Sequence, residues 1–165
     1  MLLRILAAAA TLLLLTWGGC RLYVAVFVSD ETKIRWVIED AAEGFNTGDP
    51  SDCVADLAKD WRDEKTGLTR RDLQQVLFAT FWSDRDPRTK ELLWRVEVPE
   101  DLLTITLDEA DENRAEVTCT LRFFRKHGES WKLDWAVAIE AEMRDDDGWK
   151  IARTRRMDVE GSQPR

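Results

Sequence analysis

Histidine and tyrosine are nearly missing from this chain, with one of each, His127 and Tyr23. Three cysteines, Cys20, Cys53 and Cys119, show no spacing that suits zinc. Basic charge is also short. Lysine and arginine total 24 against 32 acids, a net charge of −8. Residues 1–28 hold Arg4 and Arg21 and no acid, so the remainder carries −10. A domain this acidic repels a phosphate backbone, which argues against nucleic acid as a partner. Low-complexity segments, internal repeats and long linkers are absent as well.

The 165 residues suit one domain with an appendage, and 44% hydrophobic with 34% charged residues is a globular composition. Eight tryptophans are many, and seven lie after residue 30. They read as core and rim packing, because large aromatics dominate core energetics.

Ile5 to Val28 is apolar except for Arg21 and a few small or weakly polar residues. Three readings are open. About 20 apolar residues span a bilayer, so the stretch fits an uncleaved anchor with Arg21 near an interface. Arg4, Ile5–Leu15 and Gly18-Gly19 also fit a cleaved secretion signal. Trp17-Gly18-Gly19-Cys20 resembles a bacterial lipoprotein processing site, which makes Cys20 a candidate for lipidation. Each reading places the downstream domain on the extracytoplasmic side, periplasmic or cell-surface, with the membrane engaged through residues 5–28. An oxidising compartment would permit a Cys53–Cys119 bridge. The patterning favours two small buried hydrophobes instead.

The pattern then changes twice. Ser29-Asp30-Glu31 opens a helix whose stripe is Ile34, Val37, Ile38, Ala41, Ala42 and Phe45, and Gly44, Gly48 and Pro50 end it. Asp49 caps a second helix showing Val54, Leu57, Ala58 and Trp61 on one face. Thr69 and Asp72 make a capping-box-like pair for a third helix, with stripe Leu73, Val76, Leu77, Thr80 and Phe81. From Leu92 onward the period is two. Leu92, Trp94, Val96 and Val98 alternate with Leu93, Arg95 and Glu97, Pro99-Glu100-Asp101 interrupts, and Leu103, Ile105 and Leu107 come next. Ala115, Val117, Cys119, Leu121 and Phe123 form another row, and Lys126-His127-Gly128-Glu129 turns the chain. Trp131 to Arg144 is the spine. Trp131, Leu133, Trp135, Val137, Ile139, Ala141 and Met143 are apolar, and Lys132, Asp134, Glu140, Glu142 and Arg144 fall between them, an alternation held for almost fourteen residues that predicts a long, bent strand. Asp147-Gly148 signals a hairpin, and Trp149, Ile151, Arg153, Arg155 and Met157 close the sheet.

Three helices followed by about five strands is an α+β order. That layout, with Asn46-Thr47-Gly48-Asp49 ending the first helix, Trp61-Arg62-Asp63-Glu64 after a short helix, and Asp147-Gly148-Trp149-Lys150-Ile151 in the final hairpin, resembles the nuclear transport factor 2-like superfamily, which takes in SnoaL-like and ketosteroid-isomerase-like proteins. The match covers residues 30–160, leaving 1–29 as anchor or signal segment and 161–165 as a tail. The resemblance implies a cone-shaped roll: a curved antiparallel sheet of four to six strands packed on three N-terminal helices, often with a pocket. Members include isomerases, dehydratases, epoxide hydrolases, non-catalytic transport factors and membrane-tethered assembly domains, so fold alone does not choose a function. One departure is that the family usually has strands between its second and third helices, where Arg62–Leu68 leaves little room.

The superfamily's enzymes need a base in a dry pocket with a donor opposite. The ketosteroid-isomerase donor would be a tyrosine, and Tyr23 lies in the anchor. The dehydratase pair needs a histidine, and His127 sits in a turn. The acids Glu97, Glu116, Asp134, Glu140 and Glu142 take the outward parity, set to ladder with Arg95, Arg122 and Arg144. Asp40, Glu43, Asp63 and Glu64 remain from the helices and their loop. Arg153 and Arg155 share parity with Trp149 and Ile151, which points them inward unless a bulge turns them out. Inward arginines would hold a carboxylate ligand. Asp145-Asp146-Asp147 lacks the alternation of a calcium loop and reads as a turn. No catalytic residue, metal or cofactor is assigned. The expected role is a non-catalytic, membrane-tethered binding domain for a small apolar or amphipathic ligand or a protein partner, with Trp61, Asp63, Glu64, Trp135, Arg153 and Arg155 as candidate ligand contacts. Two alternatives stand: a lyase or isomerase using Asp63 or Glu64 with Arg153 or Arg155, and a homodimer assembled through the outer sheet face.

Overall fold

The structure is a computed structural model and describes residues 27–161, with side chains through Arg155. The readings placed on Ile5–Val26 and Cys20 lie outside the described residues. The chain divides into two compact units, residues 1–33 and 34–165, and the second holds every element after Lys33.

Helix α1 (Asp30–Thr47) turns Ile34, Val37 and Ile38 into the core, with Ala42 and Phe45 packed against it. Gly44 does not end this helix. It is a buried close approach: a Cβ there would lie 2.7 Å from the Cys53 nitrogen. The helix stops at Thr47, and Gly48 comes next with φ +72°. Asn46 then acts as a piece of strand. Its amide donates to the Val96 carbonyl at 3.0 Å and accepts from the Val96 N–H at 2.8 Å, fixing the end of α1 to the sheet edge. Asp49 caps α2 (Pro50–Cys53), which is only one turn long.

The expected second helix is replaced by a strand, β1 (Leu57–Asp63). Its burial pattern has Leu57, Ala58 and Trp61 in and Lys59 and Asp60 out. A register shift between Leu57 and Arg62 causes this, and an irregular strand of that kind shows helix-like spacing. β1 pairs parallel to the last strand, so the sheet is mixed rather than wholly antiparallel. It also supplies the strand that the superfamily pattern asks for between the helices.

The Thr69–Asp72 capping box forms and starts α3 (Arg70–Ser83). Phe81 is buried, with Leu73 and Leu77 packed on the core. Val76, expected on that stripe, faces out with Phe78 and Trp82, which is 80% exposed. Past α3, Arg85 donates to the carbonyls of Phe81, Lys90 and Gly48 and ties three segments together.

Six strands form one curved, unclosed sheet in the order β1-β6-β5-β4-β2, with β3 also on β4. β2 (Trp94–Glu97) and β3 (Leu103–Leu107) share one edge of β4 (Arg114–His127), separated by a 3-10 turn at Glu100–Leu102 after Pro99. β5 (Ser130–Asp145) is the long spine, and β6 (Trp149–Gly161) returns through the Asp147-Gly148 turn, where both residues have positive φ. One face carries the core and takes α1 and α3; it is the inner face.

Two of the register shifts in the β4–β5–β6 ladders decide where candidate residues face. Phe123 pairs with Trp135 but Phe124 with Leu133, so Asp134 is an extra residue in β5. Trp131 and Leu133 therefore leave the inner face and are exposed. Met143 pairs with Ile151 but Glu142 with Arg153, so Ala152 is an extra residue in β6. Ile151 and Ala152 are both buried, and the parity beyond them is reversed. Cys53 and Cys119 are free and buried.

Candidate functional site

The Ala152 bulge decides where the two candidate arginines go. Arg153 and Arg155 stand on the outer face opposite Glu142 and Glu140. Arg155 pairs with Glu140, and Arg153 lies 3.7 Å from Glu142 and 3.8 Å from Glu64. At 62% exposure the Arg153 side chain is a solvated partner and does not enter the core. These residues, with Glu116, Thr118 and Asp108, line an open groove of about 590 Å³ on the outer face. Its acids are not fully matched: Glu116 sits directly opposite Glu142 in the ladder.

Asp63 is elsewhere. Its Oδ1 accepts from the Thr66 N–H at 2.8 Å and the Thr66 hydroxyl at 2.6 Å, and its Oδ2 from the Thr154 hydroxyl at 3.2 Å. Burial pushes this carboxyl up, but the bonds from Thr66 and Thr154 outweigh it and hold the group below the ordinary aspartate value. Asp63 thus closes the Glu64–Gly67 turn and ties β1 to β6. Of the six candidates, Glu64, Arg153 and Arg155 meet in the outer groove, Trp61 and Asp63 share β1, and Trp135 lies on the inner face.

That inner face has its own chemistry. Phe45 packs edge-on to Phe81 at 5.1 Å and to Phe123 at 5.5 Å, and Phe123 stacks on Trp135 at 4.1 Å between ring centroids. Trp94 closes the β2 side, 3% exposed, and Trp61 the β1 side, 4% exposed. The indole Nε1 groups of Trp61, Trp94 and Trp135 are buried and have no hydrogen-bond partner among the described residues. A buried donor left unpaired costs about 1–3 kcal/mol, so each of the three is a place where an acceptor would stabilise the fold. No charged or polar residue is buried among the described residues. His127 is exposed at its hairpin.

Arg125 is a member of this site that the apolar pattern does not mark. It continues the row Ala115, Val117, Cys119, Leu121, Phe123 at the same parity, and that parity is its one signal in the sequence. Its guanidinium lies 5.0 Å over the Trp94 ring and 3.6 Å from Asp84 at the end of α3. The Asp134 bulge sets Lys132 directly opposite Arg125 on the same face. The aromatic interior thus ends in two cations.

No protein-family model matches the chain, and no curated protein matches it in sequence. Solved structures match in shape. A protein of unknown function from Mycobacterium tuberculosis superposes with TM-score 0.62 at 17% identity, covering 78% of this chain and 75% of its own. A protein of unknown function with a cystatin-like fold from Nostoc punctiforme gives 0.61 at 14%, covering 82% and 94%. A nuclear transport factor 2-like protein with a cystatin-like fold from Novosphingobium aromaticivorans gives 0.59 at 16%, covering 86% and 88%. At these identities the likeness is one of fold.

Proposed function

We propose that this chain is a non-catalytic, membrane-tethered extracytoplasmic domain that binds a small amphipathic ligand against the inner face of its sheet. The observation that carries this reading is the set of three buried indole N–H groups, Trp61, Trp94 and Trp135, that have no partner among the described residues, in an otherwise apolar interior. An acceptor-bearing apolar ligand satisfies both features at once. Tethering rests on the apolar run Ile5–Val28; no helix among the described residues is long and apolar enough to cross a membrane.

The lyase or isomerase alternative requires a base in a dry pocket. Asp63 has its acceptors occupied, and Glu64 with Arg153 lies on the exposed outer face. Neither geometry favours proton transfer.

The test is a [15N]tryptophan NMR spectrum of the full chain, as purified from cells and again after unfolding in guanidinium and refolding without cell components. The indole peaks of Trp61, Trp94 and Trp135 move between the two samples, while that of exposed Trp82 stays. Unmoved peaks for all three would remove the interior ligand.

A further inference from the structure

We infer that the ligand is a monoanionic amphiphile, a carboxylate on an apolar body, with its head held by Arg125 and Lys132 at the end of the aromatic interior. This rests on the inner face being the ligand site. The inner rows of β4 and β5 are apolar along their length and both change to a cation at one level, Arg125 facing Lys132. The Asp134 bulge produces that pairing. Without it Lys132 would take the outer face and Leu133 the inner one.

Arg125 is poorly engaged for its capacity. A guanidinium carries five N–H donors in a planar fork. Here it donates no hydrogen bond among the described residues; Asp84 at 3.6 Å is its one charged contact, beyond hydrogen-bonding range. Lys132 forms no ion pair among the described residues. In a chain of net charge −8, two neighbouring cations with one loose acid are an exception.

Donors, fork geometry and an apolar floor together select an oxyanion on a flat or chain-like apolar body. The Asp84 carboxylate selects its charge. A phosphate monoester dianion would face that carboxylate at close range, whereas a single carboxylate matches the remaining positive charge.

The experiment is equilibrium dialysis of the full chain held in amphipol, with amphipol alone as background, against three probes with one apolar body: 2-naphthoate, 2-naphthalenemethanol and 2-naphthyl phosphate. Wild type holds 2-naphthoate about tenfold or more tighter than the alcohol, as charge-assisted bonds imply. Arg125→Gln removes most of that difference, Arg125→Lys restores part of it, and Lys132→Gln loses less than Arg125→Gln. Both side chains are solvent-reaching, and an unchanged near-ultraviolet circular dichroism spectrum confirms folded variants. Equal binding of naphthoate and alcohol overturns the carboxylate assignment and leaves the interior site standing. Tightest binding of the phosphate overturns the monoanion. Binding of none of the three overturns the head assignment and the interior site together.

Discussion

Phe123 of β4 and Trp135 of β5 lie face to face across the ladder, 4.1 Å between centroids and 3° between planes. They are the last inner pair before the Asp134 bulge, and Phe45 packs on Phe123 from α1. Most of what distinguishes this interior is arranged around them.

Phe123→Ala removes the ring on which Trp135 and Phe45 both rest. The expected loss is about 3–5 kcal/mol, read by urea unfolding. Trp135→Phe keeps a stacking ring and removes an unpartnered donor, so its cost should be far smaller, under about 1.5 kcal/mol. Equal losses for the two in the refolded, ligand-free chain would mean that the Trp135 indole N–H has a partner within the protein.

Deleting Ala152 removes the extra residue of β6, so Arg153 follows Ile151 directly and keeps its place opposite Glu142 on the outer face. The deletion should therefore retain cooperative urea unfolding, with a loss limited to the buried Ala152 side chain. A deletion variant that no longer unfolds cooperatively would show that Ala152 is not the extra residue.

Asp63 makes stability depend on pH. Its folded-state pKa is depressed by Thr66 and Thr154. The stability it adds is therefore complete above the unfolded aspartate value of about 4 and is lost as pH falls through the folded one. Thermal melts from pH 7 to pH 2.5 should show a smaller acid-side fall in Asp63→Asn than in wild type, from a lower starting Tm. The same slope in both would assign the acid sensitivity to other carboxylates.

Burial pushes the thiol of Cys53 up to about 12 and that of Cys119 up to about 11. At pH 8 neither carries useful thiolate. Peptide mapping after brief iodoacetamide treatment should find both unmodified in the native chain and both modified in guanidinium. Rapid native labelling of either would place it outside the core.

Much of the fold is legible in the sequence, and the failures share a cause. The stripe of α1, the Thr69–Asp72 box, the break at Pro99 and the turn at Asp147-Gly148 depend on local chemistry, which a sequence displays. The strand β1 reads as helix because its irregular register buries Leu57, Ala58 and Trp61 at helix-like intervals. Alternation places Trp131 and Leu133 inside because a bulge at Asp134 leaves no mark on hydropathy. The same limit applies to Arg153 and Arg155, where alternation leaves inward and outward both open and the Ala152 bulge selects outward. Bulges are settled by pairing with another strand, and pairing is not a local property. Arg125 is legible in principle, since it continues the Phe123 row by parity. It escapes notice because a charged residue at the end of a strand is usually a solvated one.

The central claim, a ligand within the sheet interior, is tested most directly by native mass spectrometry of the full chain purified from cells that make it. The account predicts a stoichiometric small-molecule adduct on the protein, released by collisional activation, whose mass fits a carboxylate-bearing amphiphile, and which is lost in a Trp94→Phe, Arg125→Gln, Trp135→Phe variant. A bare wild-type chain with no adduct at the gentlest activation, whether monomer or dimer, would contradict it.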